Sequence, residues 1–188
     1  YTVTGTSASG CTGTRTVQVT VNPLPVVNPG SNSPVCLGGN INLTVGAFPT
    51  YTWTGPNSFN NNTQNPTITN ATAAMGGIYT VSVTNANGCV NSNTVNVVIN
   101  ALPTIVPANT GPYCVGQTIS LSTAAAATYT WTGPNAFTSS AQNPNITNAQ
   151  LTHAGIYSVS ATSAGGCIAS GTTNVTVNAL PIPNASNN

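Results

Sequence analysis

Aspartate, glutamate and lysine are absent from this 188-residue sequence, and Arg15 and His153 are its only basic side chains. Soluble domains ordinarily carry about 25% charged residues; this chain carries 1%. Without carboxylates there are no acid–base pairs for general catalysis and no carboxylate Ca²⁺ site. Without lysine, and with one arginine, there is no phosphate-binding cluster and no basic footprint for nucleic acid. The plentiful serines and threonines have a single histidine and no acid to join in a triad. No catalytic residue and no cofactor are therefore expected, and the cysteines and histidine lack the close spacing of a zinc site. No run of about 18 apolar residues occurs, so membrane insertion is not expected either.

Low charge does not make the chain a disordered one. Disordered segments combine low hydrophobicity with high net charge, whereas 39% of these residues are hydrophobic and the formal net charge is +1. Thr and Asn together make up roughly a third of the sequence, so hydroxyls and amides must cover the solvent faces, and Thr suits strands. A surface without charge repulsion favours self-association with other copies or neighbouring repeats, a glycan coat, or both. The sequence also has no initiator Met and no leader, and it opens within a motif, as a piece cut from a longer protein would.

What is present is a repeat. Tyr1 to Cys11, Tyr79 to Cys89 and Tyr157 to Cys167 are versions of one stretch, and successive copies stand 78 residues apart. Tyr79, Val81 and Val83 alternate with Thr80, Ser82 and Thr84 before the turn Asn85-Ala86-Asn87-Gly88, which reads as a half-buried strand entering a hairpin. The period divides the chain into 1–22, the last two strands of an incomplete repeat; 23–100 and 101–178, two whole repeats; and 179–188, the start of a further repeat or a tail. In the first fragment, Thr16 to Val21 is expected to be the closing strand.

Within a whole repeat the strand signals follow in order. Ile41, Leu43 and Val45 alternate with polar neighbours, Tyr51-Thr52-Trp53-Thr54 ends at Gly55-Pro56-Asn57, Ile68 lies in a short strand, and Val95, Val97 and Ile99 close the unit. Short alternating strands between Gly, Pro and Asn clusters read as an all-β chain of β-sandwich repeats, with no amphipathic helix. The junctions Asn22-Pro23-Leu24-Pro25, Asn100-Ala101-Leu102-Pro103 and Asn178-Ala179-Leu180-Pro181 are short and proline-bearing, which predicts stiff connections.

Val35-Cys36-Leu37-Gly38, Tyr51-Thr52-Trp53-Thr54-Gly55-Pro56-Asn57, Gly77-Ile78-Tyr79-Thr80-Val81 and Asn87-Gly88-Cys89 form an ordered set. It returns at Cys114, Trp131, Gly155-Ile156-Tyr157 and Gly166-Cys167. In these residues the whole chain resembles the tandem immunoglobulin-like or PKD-like repeats of large secreted and surface proteins of gliding and biofilm-forming bacteria. The resemblance implies tandem immunoglobulin-like β-sandwiches. Trp53 and Trp131 would be the buried tryptophan of strand C, and Tyr79 and Tyr157 the tyrosine whose hydroxyl reaches back to the backbone at the E to F corner. Val81 and Val159 stand where antibody-type domains have a cysteine, so no inter-sheet disulfide is expected there. Met75 and His153 stand where an acidic residue often precedes the Gly-Xaa-Tyr.

The cysteines recur with the repeat and suggest disulfides in an extracellular setting. Pairing within each repeat, Cys36 with Cys89 and Cys114 with Cys167, uses both cysteines of each unit and leaves Cys11 unpaired or inter-chain. An immunoglobulin topology puts Cys36 before strand B and Cys89 after strand F, so pairing across a junction, or free thiols, remain open. Asn42, Asn61, Asn70, Asn145, Asn174 and Asn184 each begin a glycosylation sequon. Trp53, Trp131, Tyr51 and Tyr129 could stack on sugars, but their alternating strand positions favour the core. His153 aligns with Met75 and reads as a surface or loop residue, and Arg15 as a solvated one.

These features together predict a non-enzymatic, extracellular or cell-surface array that serves as a stiff stalk, fibre or filament of a bacterial surface or adhesive protein. The alternative is a set of carbohydrate-binding accessory repeats from a larger secreted enzyme.

Overall fold

The computed structural model describes residues 1–183. No α-helix occurs among them, only two single 3-10 turns, Ala73–Met75 and Leu151–His153. A first hairpin joins β1 (Thr2–Thr6) to β2 (Thr12–Thr16). The next strands are β3 (Gly30–Ser31), β4 (Val35–Cys36), β5 (Ile41–Thr44), β6 (Thr50–Gly55), β7 (Phe59–Asn61), β8 (Thr67–Ile68), β9 (Gly77–Thr84), β10 (Val90–Val97) and β11 (Ile99–Asn100). They return in the same order as β12 (Ala108–Asn109), β13 (Tyr113–Cys114), β14 (Ile119–Ser122), β15 (Thr128–Gly133), β16 (Phe137–Ser139), β17 (Asn145–Ile146), β18 (Gly155–Thr162), β19 (Ile168–Val175) and β20 (Val177–Asn178). The residues fall into two compact units, one of Tyr1–Ser31, Asn42–Pro66 and Ile78–Asn96, the other of Asn32–Ile41, Thr67–Gly77 and Val97 onward.

The second unit shows how the alternating pattern makes a sandwich. One antiparallel sheet has the order β16-β15-β18-β19 and another the order β12-β14-β17, while β13 runs parallel to β20. Along β18 every second residue faces inward, so Tyr157, Val159 and Ala161 are buried. Tyr157 and Val159 form one core with Tyr113, Ile119, Leu121, Trp131, Ala149, Val175 and Val177. Burial of Trp131 would strand its indole N–H, but Nε1 donates to the Gln142 carbonyl at 3.3 Å, and Gln142 Nε2 donates to the Thr123 carbonyl at 3.0 Å. The Tyr157 hydroxyl donates to the carbonyl of His153 at 2.9 Å, and the rings of Tyr157 and Phe137 meet edge to face with centroids 5.5 Å apart. Position 133 must be glycine because a Cβ there would run into the Tyr157 ring.

The first unit repeats these contacts. Trp53 lies opposite Val81 where β6 pairs with β9, and both are fully buried. Trp53 Nε1 donates to the Gln64 carbonyl at 3.3 Å, and Gln64 Nε2 to the Val45 carbonyl at 2.9 Å. Asn57 and Ser58, both at φ 56°, lie in the three-residue loop 56–58 between β6 and β7, where the Phe59 N–H donates to the Pro56 carbonyl at 3.2 Å.

The expected closing strand over Thr16 to Val21 does not form: β2 ends at Thr16. The register sets Tyr1 against Val17, which exchange hydrogen bonds of 2.9 and 2.8 Å. Gln18 to Asn22 lie in no strand. All residues of β1 and β2 are exposed, Val3 at 66%, although its equivalents Val81 and Val159 are fully buried.

Two predictions follow from this core. Thr123 is buried and its Oγ1 has no hydrogen-bond partner, while the equivalent position in the first repeat is Val45. Thr123→Val is expected to stabilise the protein by about 1 kcal/mol, read as a raised urea midpoint; an unchanged or lowered midpoint would mean the hydroxyl is satisfied. The second concerns pH. Burial raises the pKa of Tyr79 and Tyr157 above 10.0. Above about pH 10 the unfolded tyrosines lose protons that the folded ones keep, so unfolding is favoured as pH rises. Thermal melts should therefore show stability fully present below about pH 10 and lost above it, and less steeply lost in Tyr157→Phe.

Candidate functional site

Among the described residues no group of three or more His, Cys, Asp or Glu side chains could hold a metal. A shallow hollow of about 380 Å³ is lined by Pro103, Ala125, Ala126, Ala127, Ser163 and Ala164, which bring no acid, base or cation to it. The candidate site is instead the junction around Asn100.

Three local features build it. Strand β4 lies parallel to β11, with Val35 opposite Ile99 and Cys36 opposite Asn100. The Leu37 N–H donates to the Asn100 carbonyl at 2.9 Å and closes the pair. The turn between β18 and β19 then docks on the same asparagine. Its shape is fixed by Ser163, whose N–H donates to the Cys167 carbonyl at 2.8 Å and whose Oγ accepts the Cys167 N–H at 3.2 Å, and by Gly166 at φ 79°. Asn100 Nδ2 donates to the Gly165 carbonyl at 3.1 Å, and Cys167 Sγ lies 3.8 Å from the Asn100 carbonyl. This brings Cys36 and Cys167 together as a disulfide with Cα atoms 5.6 Å apart, inside the bridging range. Both belong to the same compact unit.

The expected pairing within each repeat is therefore corrected: Cys36 bonds Cys167, and Cys11, Cys89 and Cys114 are free thiols. The reason is the placement of each cysteine relative to its junctions. Cys36 is strand-paired to Asn100, at the junction by which its repeat ends, whereas Cys89 Sγ lies 3.9 Å from the carbonyl of Asn22, at the junction by which that repeat begins. The partner of Cys36 accordingly comes from the following repeat, 131 residues away. Asn22, Asn100 and Asn178 open the three junctions that recur with the period, but the sequence pattern assigns their amides and carbonyls no role.

The other singled-out residues lie elsewhere. Trp53, Tyr79, Trp131 and Tyr157 are fully buried. The Tyr51 hydroxyl accepts the Phe48 N–H at 2.6 Å, and that of Tyr129 accepts the Ala126 N–H and donates to the Ala126 carbonyl at 3.1 Å, so both rings clasp loops. His153 Nδ1 accepts the Gln150 N–H at 2.9 Å and its Nε2 lies 3.1 Å from the Asn135 amide, which uses the ring as a cap of the 3-10 turn. Arg15 is exposed on β2 opposite Val3. Of the sequon asparagines, Asn42, Asn70, Asn145 and Asn174 are exposed and Asn61 is half-buried, its Oδ1 accepting from Thr63 at 2.7 Å; Asn184 lies outside the described residues.

The joint predicts a peptide map. Non-reducing digestion after alkylation of the monomer should give one linked pair, Cys36 to Cys167, with Cys11, Cys89 and Cys114 alkylated; a Cys36 to Cys89 pair would overturn the assignment. Cys36→Ser should lower stability by about 2–5 kcal/mol, since the bond closes a long loop of the unfolded chain.

The immunoglobulin domain family matches residues 16–99. No curated protein matches the chain. Among solved structures, the three N-terminal domains of the highly immunogenic outer capsid protein (Hoc) of bacteriophage RB49 are similar at 21% identity and a TM-score of 0.39, over 80% of this chain and 58% of that one. The chain thus spans just over half of that phage structure. The amphioxus IgVJ-C2 molecule is similar at 19% identity, over 76% of this chain and 99% of that one, with a TM-score of 0.37. Murine CEACAM1b is similar at 15% identity over 81% and 100%, with a TM-score of 0.41. The chain is an all-β protein of the immunoglobulin-like fold, and its residues 16–99 match the immunoglobulin domain family.

Proposed function

We propose that the chain is a non-enzymatic, extracellular structural array, a stiff stalk, fibre or filament of a bacterial surface or adhesive protein. The observation that carries this reading is the Cys36–Cys167 bond, which ties the first whole repeat to the second instead of closing either one. A bond of that kind serves continuity between neighbours, and it persists where the surroundings are oxidising. The period supports the same reading, since in a repeat array function is distributed along the chain and each unit contacts its neighbours. A surface almost without charge adds a further support, because copies would meet with no electrostatic repulsion. Sequon asparagines on exposed strand faces leave room for a glycan coat. The domain limits we assign are those of the period, 1–22, 23–100, 101–178 and 179–188. Sugar-binding accessory repeats would need aromatic side chains open to solvent, and Trp53 and Trp131 are 0% exposed.

Averaged electron micrographs of the native material are expected to show an ordered filament with a regular axial repeat and copies in lateral contact. Isolated short particles would sink the filament version.

A further inference from the structure

Each whole repeat turns one face of its four-stranded sheet outward, and hydroxyls cover that face in rows. In the second repeat Thr130 and Thr132 flank the buried Trp131, and Ser158 and Ser160 flank the buried Val159. Strand pairing sets Thr132, Ser158 and Thr172 in one row and Thr130, Ser160 and Ser170 in the next. The two serines of β18 are half-buried between their neighbours and the other four side chains are exposed. Ile156, opposite Asn174, lies beyond one row, and Ile168, opposite Thr162, lies beyond the other. They stand at opposite ends of the face on adjacent strands, 63% and 61% exposed. The first repeat carries the same rows, with Thr54 opposite Thr80 and Thr52 opposite Ser82, continued on β10 by Thr94 and Ser92. Ile78 and Val90 stand exposed in the places of the two isoleucines. Every row position is thus Thr or Ser in both repeats, whereas the alternate residues of one strand diverge from Asn91 and Asn93 to Ala169 and Gly171.

We propose that two copies of this chain meet through this face, rows of one against rows of the other. A two-fold contact uses the same patch on both partners, so the patch must complement itself. A row of carboxylates or ammonium groups fails that condition, because it repels its own image. A row of hydroxyls meets it, since each is donor and acceptor at once. The isoleucines obey the same symmetry. A two-fold axis that crosses the strands reverses their direction in the second copy, which brings Ile156 of one copy beside Ile168 of the other at both ends of the contact. A neutral polysaccharide could also meet a hydroxyl face, but it would call for aromatic rings on which sugars stack, and the exposed apolar side chains of this face are aliphatic.

The size of the face sets the strength of the contact. Three strands about 4.8 Å apart, each contributing about seven residues at about 3.3 Å, give about 300 Å² per copy. A pair of faces then buries about 600 Å², half of the roughly 1,200 Å² at which stable specific interfaces begin. A single pair is therefore transient. The matching face of the first repeat gives each chain a second contact, and two weak contacts on one chain hold far longer than either alone. Keeping the rows in both repeats is what turns a passing encounter into lasting association.

This inference rests on the reading of the chain as a self-associating extracellular array, and the test separates the two. Analytical ultracentrifugation of the unaltered chain from micromolar to millimolar concentration should show the average mass rising. Ser82→Lys with Ser160→Lys, which puts a charge in the middle of both faces, should stay monomeric, and so should Ser82→Asp with Ser160→Asp. An equimolar mixture of these two double variants should associate again, because opposite charges now face each other, and salt should weaken that mixture but not the unaltered chain. Ser160→Lys alone leaves one face per chain and should weaken association about tenfold. Thr44→Lys with Ser122→Lys, exposed on the other sheet, should change nothing. Undiminished association of the Ser82→Lys, Ser160→Lys chain, or a mixture of lysine and aspartate variants that stays monomeric, would overturn the proposal. Retention of the unaltered chain on cellulose without any self-association would give the face to a polysaccharide instead and overturn it too. If the Ser82→Lys, Ser160→Lys chain still built filaments with lateral contacts under the microscope, the array reading would stand and only this face would fall.

Discussion

Neutrality is the constraint under which the rest of this structure is arranged. With no acid in the sequence there is no side-chain ion pair to form, so loops that other domains hold by charge are held here by amides. Asn85, Asn91 and Asn93 donate through Nδ2 to the carbonyls of Pro23, Pro25 and Val27 at 3.1, 2.9 and 2.7 Å, a row of neutral clasps that fastens an extended segment outside any strand, which has no N–H of its own at Pro23 and Pro25. The second repeat solves the same problem differently. Ser163, Ala169 and Gly171 replace the three asparagines, and the bare Gly171 lets Ile105 and Pro107 approach until a Cβ would stand 3.0 Å from each. An amide clasp and an apolar contact are thus interchangeable at one place in the fold, because each satisfies the local need without introducing a charge.

The same economy governs the core. A tryptophan can be buried whole only if its N–H finds an acceptor, and in both repeats a glutamine segment supplies one while its side chain returns to the backbone of a facing strand. Tyr79 and Tyr157 complete the packing over a glycine that leaves room for the ring. Val81 and Val159 pack where antibody-type domains have a cysteine. Cysteine is thereby released from the core and is free to serve the junctions.

Much of this was legible in the sequence because period-2 alternation reports burial directly. The alternation places Tyr79, Val81 and Val83 on one face, as it does Ile41 and Leu43, and all five are buried. The end of β2 at Thr16 was not legible, since Thr16 to Val21 has the strand pattern in full; pattern states a preference, and a strand also needs a neighbour to bond. Disulfide connectivity was illegible for a similar reason. Equal counts per repeat make pairing within the repeat the simpler hypothesis. What decides is whether two cysteines attend the same junction, and that depends on β4 running alongside β11. The recurring asparagine at each junction carried the missing information, but an asparagine before a proline-bearing turn has a bland explanation that hides it.

The placement of the bond has a consequence that does not depend on how the repeats are arranged. A disulfide across 131 residues encloses Trp53, Tyr79, Trp131 and Tyr157, the centres of both cores, within one covalent loop. A bond within a repeat would restrain only the opening of that repeat. This one keeps residues 36 and 167 within bonding distance whichever core opens, so local unfolding of either repeat cannot lengthen the path between them. The aromatic core, with its neutral hydrogen bonds, and the cysteine pair therefore both stabilise the fold, the first through packing and the second by constraining the unfolded chain.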